Sequence, residues 1–248
     1  MRKKHLKVFV SKGMLAERVK RQMNIKLHYV EEGQGEPLLL LHGNGEDGTY
    51  FVHQIAYFSK KYRVIAIDTR GHGKSPRGDQ PFTIRQFADD LYQFMQLHQI
   101  EKAHILGFSD GGNIAMIFAM KYPQCVKKLI LDGANLDGHG VKAGVQIPIV
   151  LGYQCAALFA KVDAKAKKKA ELLGLMVNDP NVKPAELKQI KAKTLVIAGT
   201  DDMIKGEHTK LIADNIPNAV LQFVEGDHFI ANKEYQKFNC AVEQFLND

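Results

Sequence analysis

Tryptophan is absent from these 248 residues, and cysteine is scarce: Cys125, Cys155 and Cys240 are odd in number and scattered. That pattern rules out a disulfide scaffold and offers no paired metal spacing, so the three read as reduced thiols of a cytoplasmic protein, filling core or surface. No segment reaches the apolar length of a membrane span, which argues against membrane insertion. The N-terminal stretch lacks the long apolar run and small-residue cleavage site of a secretory signal. No Gly-Lys-Ser/Thr follows the glycines Gly43 and Gly45, and no Gly-x-Gly-x-x-Gly leads a helix, which argues against a nucleotide-binding loop. Histidines and carboxylates nowhere cluster with metal spacing, and neither a metal nor another cofactor is expected. Internal repeats and low-complexity tracts are missing too.

Charge is present but unevenly placed. Residues 1–22 carry eight basic side chains against Glu17 alone, which accounts for the whole net charge of +7; the remainder is neutral. The high pI therefore belongs to a basic N-terminal extension and not to the folded part. A nucleic-acid partner would call for a basic face on the domain itself, so none is expected.

From about residue 25 onwards, short apolar runs alternate with helical periodicity. Ile25 to Glu31 alternates as a strand, and Pro37 to Leu41, with four leucines, reads as a strand buried on both faces. A helical pattern over Tyr50 to Tyr62, a strand over Arg63 to Ile67 and an amphipathic helix over Thr83 to Gln99, capped near Thr83, follow. Ala103 to Phe108 and Val126 to Leu131 are further strands. After an interruption come a strand over Lys193 to Ala198, a helix over Glu207 to Asn215, a strand over Ala219 to Val224 and a last helix from about Lys233 to Leu246. Such alternation implies an α/β fold, a mainly parallel sheet covered on both faces, with functional groups gathered beyond the carboxyl ends of the strands. Residues 23–134 and 191–248 form the core. Residues 135–190 contain no strand pattern and read as a helical cap insertion. Its apolar stretch Val145 to Phe159 is either a greasy ceiling over a pocket or a packing surface toward the sheet or a second subunit, so a homodimer stays open.

The turn Gly107-Phe108-Ser109-Asp110-Gly111 sits where a buried strand gives way at once to a helix. A residue pinched there takes a strained backbone, and glycines flank it because a Cβ would collide with the neighbouring strand or helix. Ser109 is thereby exposed at the tip. The N–H groups that open the following helix aim partial positive charge at any anion formed beside it. A serine hydroxyl needs a base and a group that orients the base. His228 follows a strand end and precedes the last helix, after both nucleophile and acid in the chain. His42 and His72 belong to turn motifs and read as structural donors. For the acid, Gly199-Thr200-Asp201-Asp202 offers two neighbours, of which Asp202 is preferred; Asp132 is a third option, and Asp227 reads as solvated or capping. His42-Gly43-Asn44-Gly45 ends the strand expected beside that of Ser109, so the backbone N–H groups of Asn44 and Asp110 are the candidate oxyanion donors.

These motifs, with Asp68-x-Arg70-Gly71-His72-Gly73-x-Ser75, resemble the α/β-hydrolase fold superfamily from about residue 25 to the C-terminus. The resemblance implies an eight-stranded, mostly parallel sheet, a short helical cap over residues 135–190, and a Ser109, Asp202, His228 triad. Serine at the elbow argues against the epoxide hydrolase and haloalkane dehalogenase branches, which place aspartate there. Ser-Asp-Gly-Gly is similar to the elbow of the biphenyl hydrolase-like, valacyclovir-hydrolysing branch, whose equivalent acid is thought to hold a substrate α-amino group; here that would be Asp110. The alternative for Asp110 is simply a favourable charge at a helix N-terminus. The functional expectation is a cofactor-independent serine hydrolase acting on a small-molecule ester. Carbon–carbon bond hydrolysis, and a non-catalytic ligand-binding receptor on the same fold, remain as alternatives.

Overall fold

The computed structural model describes residues 25–248, so the basic segment 1–22 lies outside the described residues. Seven strands form one sheet: β1 Tyr29–Glu32, β2 Glu36–Leu41, β3 Tyr62–Ile67, β4 Ala103–Phe108, β5 Val126–Asp132, β6 Lys193–Gly199 and β7 Ala219–Val224. Their spatial order is β1-β3-β2-β4-β5-β6-β7. Only β1 runs antiparallel, against β3. Seven strands among the described residues is one fewer than the resemblance implies. The first is also shorter than the alternation from Ile25 suggests. Ile25 and Leu27 are buried in the core, and the His28 carbonyl accepts from the Asp68 N–H, so this stretch is pinned without joining the ladder.

Successive residues of the central strands feed opposite faces. Leu39, Leu41, Ile65 and Ile105 pack into one core with the helices α2 Ile84–Leu97 and α3 Asp110–Lys121. Leu38, Leu40, Val64 and Leu106 pack into the other, with α1 Val52–Phe58 and the C-terminal helices α7 Ile230–Lys233 and α8 Tyr235–Asn247. This is why the strands read as continuous apolar runs: neither face meets water. The remaining helices are α4 Ala143–Phe159 and α5 Ala164–Asn178, which pack on each other between β5 and β6, and α6 Gly206–Asn215 before β7. Thr83 caps α2, its side chain accepting from the Gln86 N–H.

Register brings the strand ends level. Leu41 pairs with Gly107, Phe108 with Asp132, and Gly199 with Val224. Every loop that leaves a parallel strand at its carboxyl end therefore emerges on one rim, and the connections between neighbours cross back behind the sheet as helices.

Candidate active site

Ser109 occupies the rim at φ 53° and ψ −119°, a conformation that costs a non-glycine residue about 1–3 kcal/mol. The turn is forced by what lies on each side. A Cβ at Gly107 would stand 2.1 Å from the Gly111 carbonyl oxygen, and one at Gly111 would stand 2.0 Å from that of Leu41. Helix α3 thus presses directly on β2 and β4, and only glycine allows the approach. The Ser109 N–H donates to the Asp132 carbonyl at 2.7 Å, and its hydroxyl caps nothing. The side chain is left half-buried and free at the tip.

His228 Nδ1 lies 2.7 Å from Asp202 Oδ1, with both side chains buried. Asp202 is itself held, since the Ile204 N–H donates to the same oxygen at 2.8 Å. The imidazole packs on Phe108, the residue before Ser109, with ring centroids 4.9 Å apart. On its other side it lies against Gly133, where a Cβ would stand 2.7 Å from Cε1. Gly133 follows the residue whose carbonyl takes the Ser109 N–H, so the ring is bracketed by the two immediate neighbours of the elbow. Its Nε2 is buried and has no partner among the described residues.

The other candidate acids separate cleanly. Asp201 points outward and pairs with Lys142 at 3.1 Å. Asp227 accepts from the Phe229 N–H and pairs with Lys233, as expected of a capping, solvated group. Asp132 is fully buried, and both of its carboxyl oxygens lack partners among the described residues. Burial, reinforced by the charges of Asp202 and Glu46, pushes its carboxyl well above the usual range. Asp132 makes no hydrogen bond to the ring, whereas Asp202, seated on the ring nitrogen, can orient an imidazolium.

Asn44 and Asp110 face each other across the rim. Neither backbone N–H donates a hydrogen bond among the described residues. The Asn44 side chain is committed elsewhere: its amide donates to Asp110 Oδ2 and to the Leu172 carbonyl of α5, each at 2.8 Å. Burial lifts the Asp110 carboxyl to about 6, opposed by the amides of Asn44 and Asn113. Sequence reasoning assigned Asn44 only its backbone and missed this clasp, which depends on a residue 128 positions away. It also missed Glu46, whose Oε2 accepts from the Gly43 N–H at 3.1 Å and whose carboxyl burial lifts to about 7. Tyr50 stacks on Phe108 at 4.5 Å and was likewise unmarked.

The two turn histidines are structural. His42 Nδ1 donates to the Gly43 carbonyl at 2.8 Å, while Nε2 accepts from the Thr69 N–H at 3.0 Å. One donor and one acceptor define a neutral ring, and burial lowers its basicity to match. His72 contacts the Arg70 carbonyl at 3.0 Å, and burial lowers it to about 4. Asp68 ties the same loops together, accepting from the N–H groups of Gly48 and Lys74.

Comparison with known proteins bears on the family and the fold. The alpha/beta hydrolase fold family matches residues 36–154. Serine hydrolase BPHL of Mus musculus is 29% identical over 248 residues, covering 90% of this chain and 83% of that protein. The 3-oxoadipate enol-lactonase 2 of Acinetobacter baylyi is 26% identical, covering 90% of this chain and 94% of its own. Among solved structures, the enol-lactonase of Burkholderia xenovorans superposes with a TM-score of 0.76 at 22% identity, covering 90% of this chain and 97% of that one.

Proposed function

We propose that the chain, which belongs to the α/β-hydrolase fold superfamily, is a serine hydrolase that cleaves small carboxylic esters through an acyl-enzyme, without a cofactor. Ser109 Oγ attacks the ester carbonyl while His228 Nε2 takes its proton, and Asp202 holds the ring in the tautomer that leaves Nε2 unprotonated beforehand. The carbonyl oxygen becomes an anion between the N–H groups of Asn44 and Asp110, each worth a few kcal/mol to the barrier. Collapse expels the alkoxide, which takes the proton from the imidazolium. Water then repeats the sequence on the acyl-enzyme and releases the acid.

The observation that carries this reading is the buried His228–Asp202 pair at 2.7 Å, with its unpartnered Nε2 on the strained elbow. A fluorophosphonate probe should label the protein, and Ser109→Ala should abolish both labelling and p-nitrophenyl acetate hydrolysis. Labelling that survives the substitution refutes the assignment. A ring-fission diketone in the same panel separates ester from carbon–carbon bond hydrolysis.

The Asp110 carboxyl favours α-amino esters within that class. It is buried beside the reacting centre and holds two side-chain amides, and a carboxylate accepts more bonds than that, leaving room for an ammonium. Only its ionised form attracts a cation. The ratio of kcat/KM for an α-amino ester to that for its des-amino analogue should therefore rise as pH passes about 6, and Asp110→Asn should flatten the rise. A flat ratio in the parent protein leaves Asp110 a helix-terminus charge only.

A further inference from the structure

Helix α4 is apolar on both sides, and only one of them is covered. Its inward residues, among them Ile149, Tyr153 and Ala156, lie toward α5, with Gly152 and Gly174 making the contact close. Its outward residues have no neighbour among the described residues that covers them. Ile147, Leu151 and Leu158 recur at steps of four and seven, which keeps them on one narrow stripe, and Val162 follows in the turn after the helix. Their side chains are 58%, 60%, 79% and 85% exposed, and Phe159 beside them is 55% exposed. Along the stripe Gln154 is the only residue with a polar side-chain amide.

A lysine-rich segment follows this stripe in the chain. Residues 161–169 hold Lys161, Lys165, Lys167, Lys168 and Lys169 against Asp163 alone. Asp163 is spent as the cap of α5, accepting from the N–H groups of Lys165 and Ala166. All five lysines are exposed, and among the described residues none of them forms an ion pair. An apolar stripe followed by exposed, uncompensated lysines is the pattern of a helix that lies in a lipid interface: aliphatic side chains enter the acyl boundary while ammonium groups meet phosphates and carboxylates.

We propose that the outer face of α4, with the lysines at the start of α5, docks the protein onto a bilayer rich in anionic lipid. The helix lies in the headgroup plane and does not cross it. At 17 residues it is short for a span, and no helix of the described residues is long and apolar enough to cross a membrane. A second copy of the chain fits less well, because the stripe and the segment after it offer no free carboxylate to the five lysines, Asp163 being spent as a cap. The inference is independent of the reaction proposed above.

The absence of tryptophan provides a clean test. Leu158→Trp places a single indole in these 248 residues, on the stripe, at a side chain that packs on little and can be changed without loss of fold. With phosphatidylserine-containing vesicles its emission should shift to the blue, and the protein should sediment with them at low salt. With pure phosphatidylcholine, or at high salt, both effects should weaken by about tenfold or more. Leu151→Asp with Val162→Asp, and separately Lys165→Glu with Lys168→Glu, should each abolish sedimentation while leaving the thermal melt in place. Three results overturn the proposal: no shift with either lipid, an indole already buried in a lipid-free dimer, or vesicle binding that survives both sets of substitutions. The last would assign the attraction to the basic segment 1–22.

Discussion

Two carboxyls end neighbouring strands near His228, and their surroundings give them different chemistry. Asp202 touches the ring nitrogen; Asp132 is buried and unpartnered, and burial shifts its carboxyl upward. Asp202→Asn should lower kcat on p-nitrophenyl acetate by about 10⁴, the size of effect seen when a triad acid is neutralised. Asp132→Asn changes a carboxyl that makes no hydrogen bond to the ring and should leave kcat close to the parent; a collapse as deep as that of Asp202→Asn would reverse the assignment. Glu46 makes a second prediction. Burial raises its carboxyl from the ordinary 4.5 to about 7, so the folded state holds this proton more tightly than the unfolded chain. Its stabilising contribution is complete below about 4.5 and is lost as pH rises through about 7. Asp132 is shifted in the same direction. The parent's Tm minus that of Glu46→Gln should therefore fall as a melt series moves from about pH 5 to about pH 8, the buried histidines His42 and His72 contributing alike to both. Neither residue's behaviour was legible in the sequence. A carboxyl's protonation depends on how deeply it is buried and which charges share the burial, and these two sit 86 positions apart.

Elements were far easier to read. Strands buried on both faces leave unbroken apolar runs, and the α2 cap at Thr83 obeys local hydrogen-bonding preference, so β2 to β7 and α2 fall close to their expected bounds. The elbow was legible for the same reason, since Gly107 and Gly111 are required by contacts made within one strand–turn–helix unit and its neighbour. Less visible was the fastening of the elements to one another. Arg70, in the loop after β3, makes a bidentate pair with Asp90 of α2 at 2.7 and 2.6 Å, with both side chains buried. Asp90→Ala leaves a guanidinium charge in the interior without its carboxylate and should cost about 3–5 kcal/mol in urea unfolding. A loss under about 1 kcal/mol, the value of an exposed pair, would mean that water reaches the site.

At the scale of the whole molecule, the helix pair α4–α5 is held to the rest by few bonds. Asn44 reaches the Leu172 carbonyl, and Arg77 grips Glu171 at 2.8 and 3.1 Å. The second pair is partly exposed, so Glu171→Ala should scarcely move Tm. Amide hydrogen exchange across α5 should nevertheless quicken, because local opening is governed by the few ties that cross the boundary. An unchanged exchange pattern would show that packing alone keeps the pair seated. This region also exposes the limit of reading periodicity. Val145 to Phe159 carries apolar residues around its circumference, and no single-chain pattern distinguishes a face turned to a pocket from one turned to solvent. The structure sends Ile149, Tyr153 and Ala156 inward and Leu151 and Leu158 outward, a division that depends on where α5 packs and leaves no mark in the apolar pattern.

Gly133 joins two regions of the chain. It leaves β5 at φ +59° with the His228 ring against it, and it stands at the start of the connection that leads to the helix pair. Any side chain there would push the imidazole and bend the outgoing chain in the same stroke. Laboratory evolution that reshapes substrate preference should accordingly accumulate changes beyond residue 135 and leave this position untouched, since tuning and chemistry share one atom's worth of space.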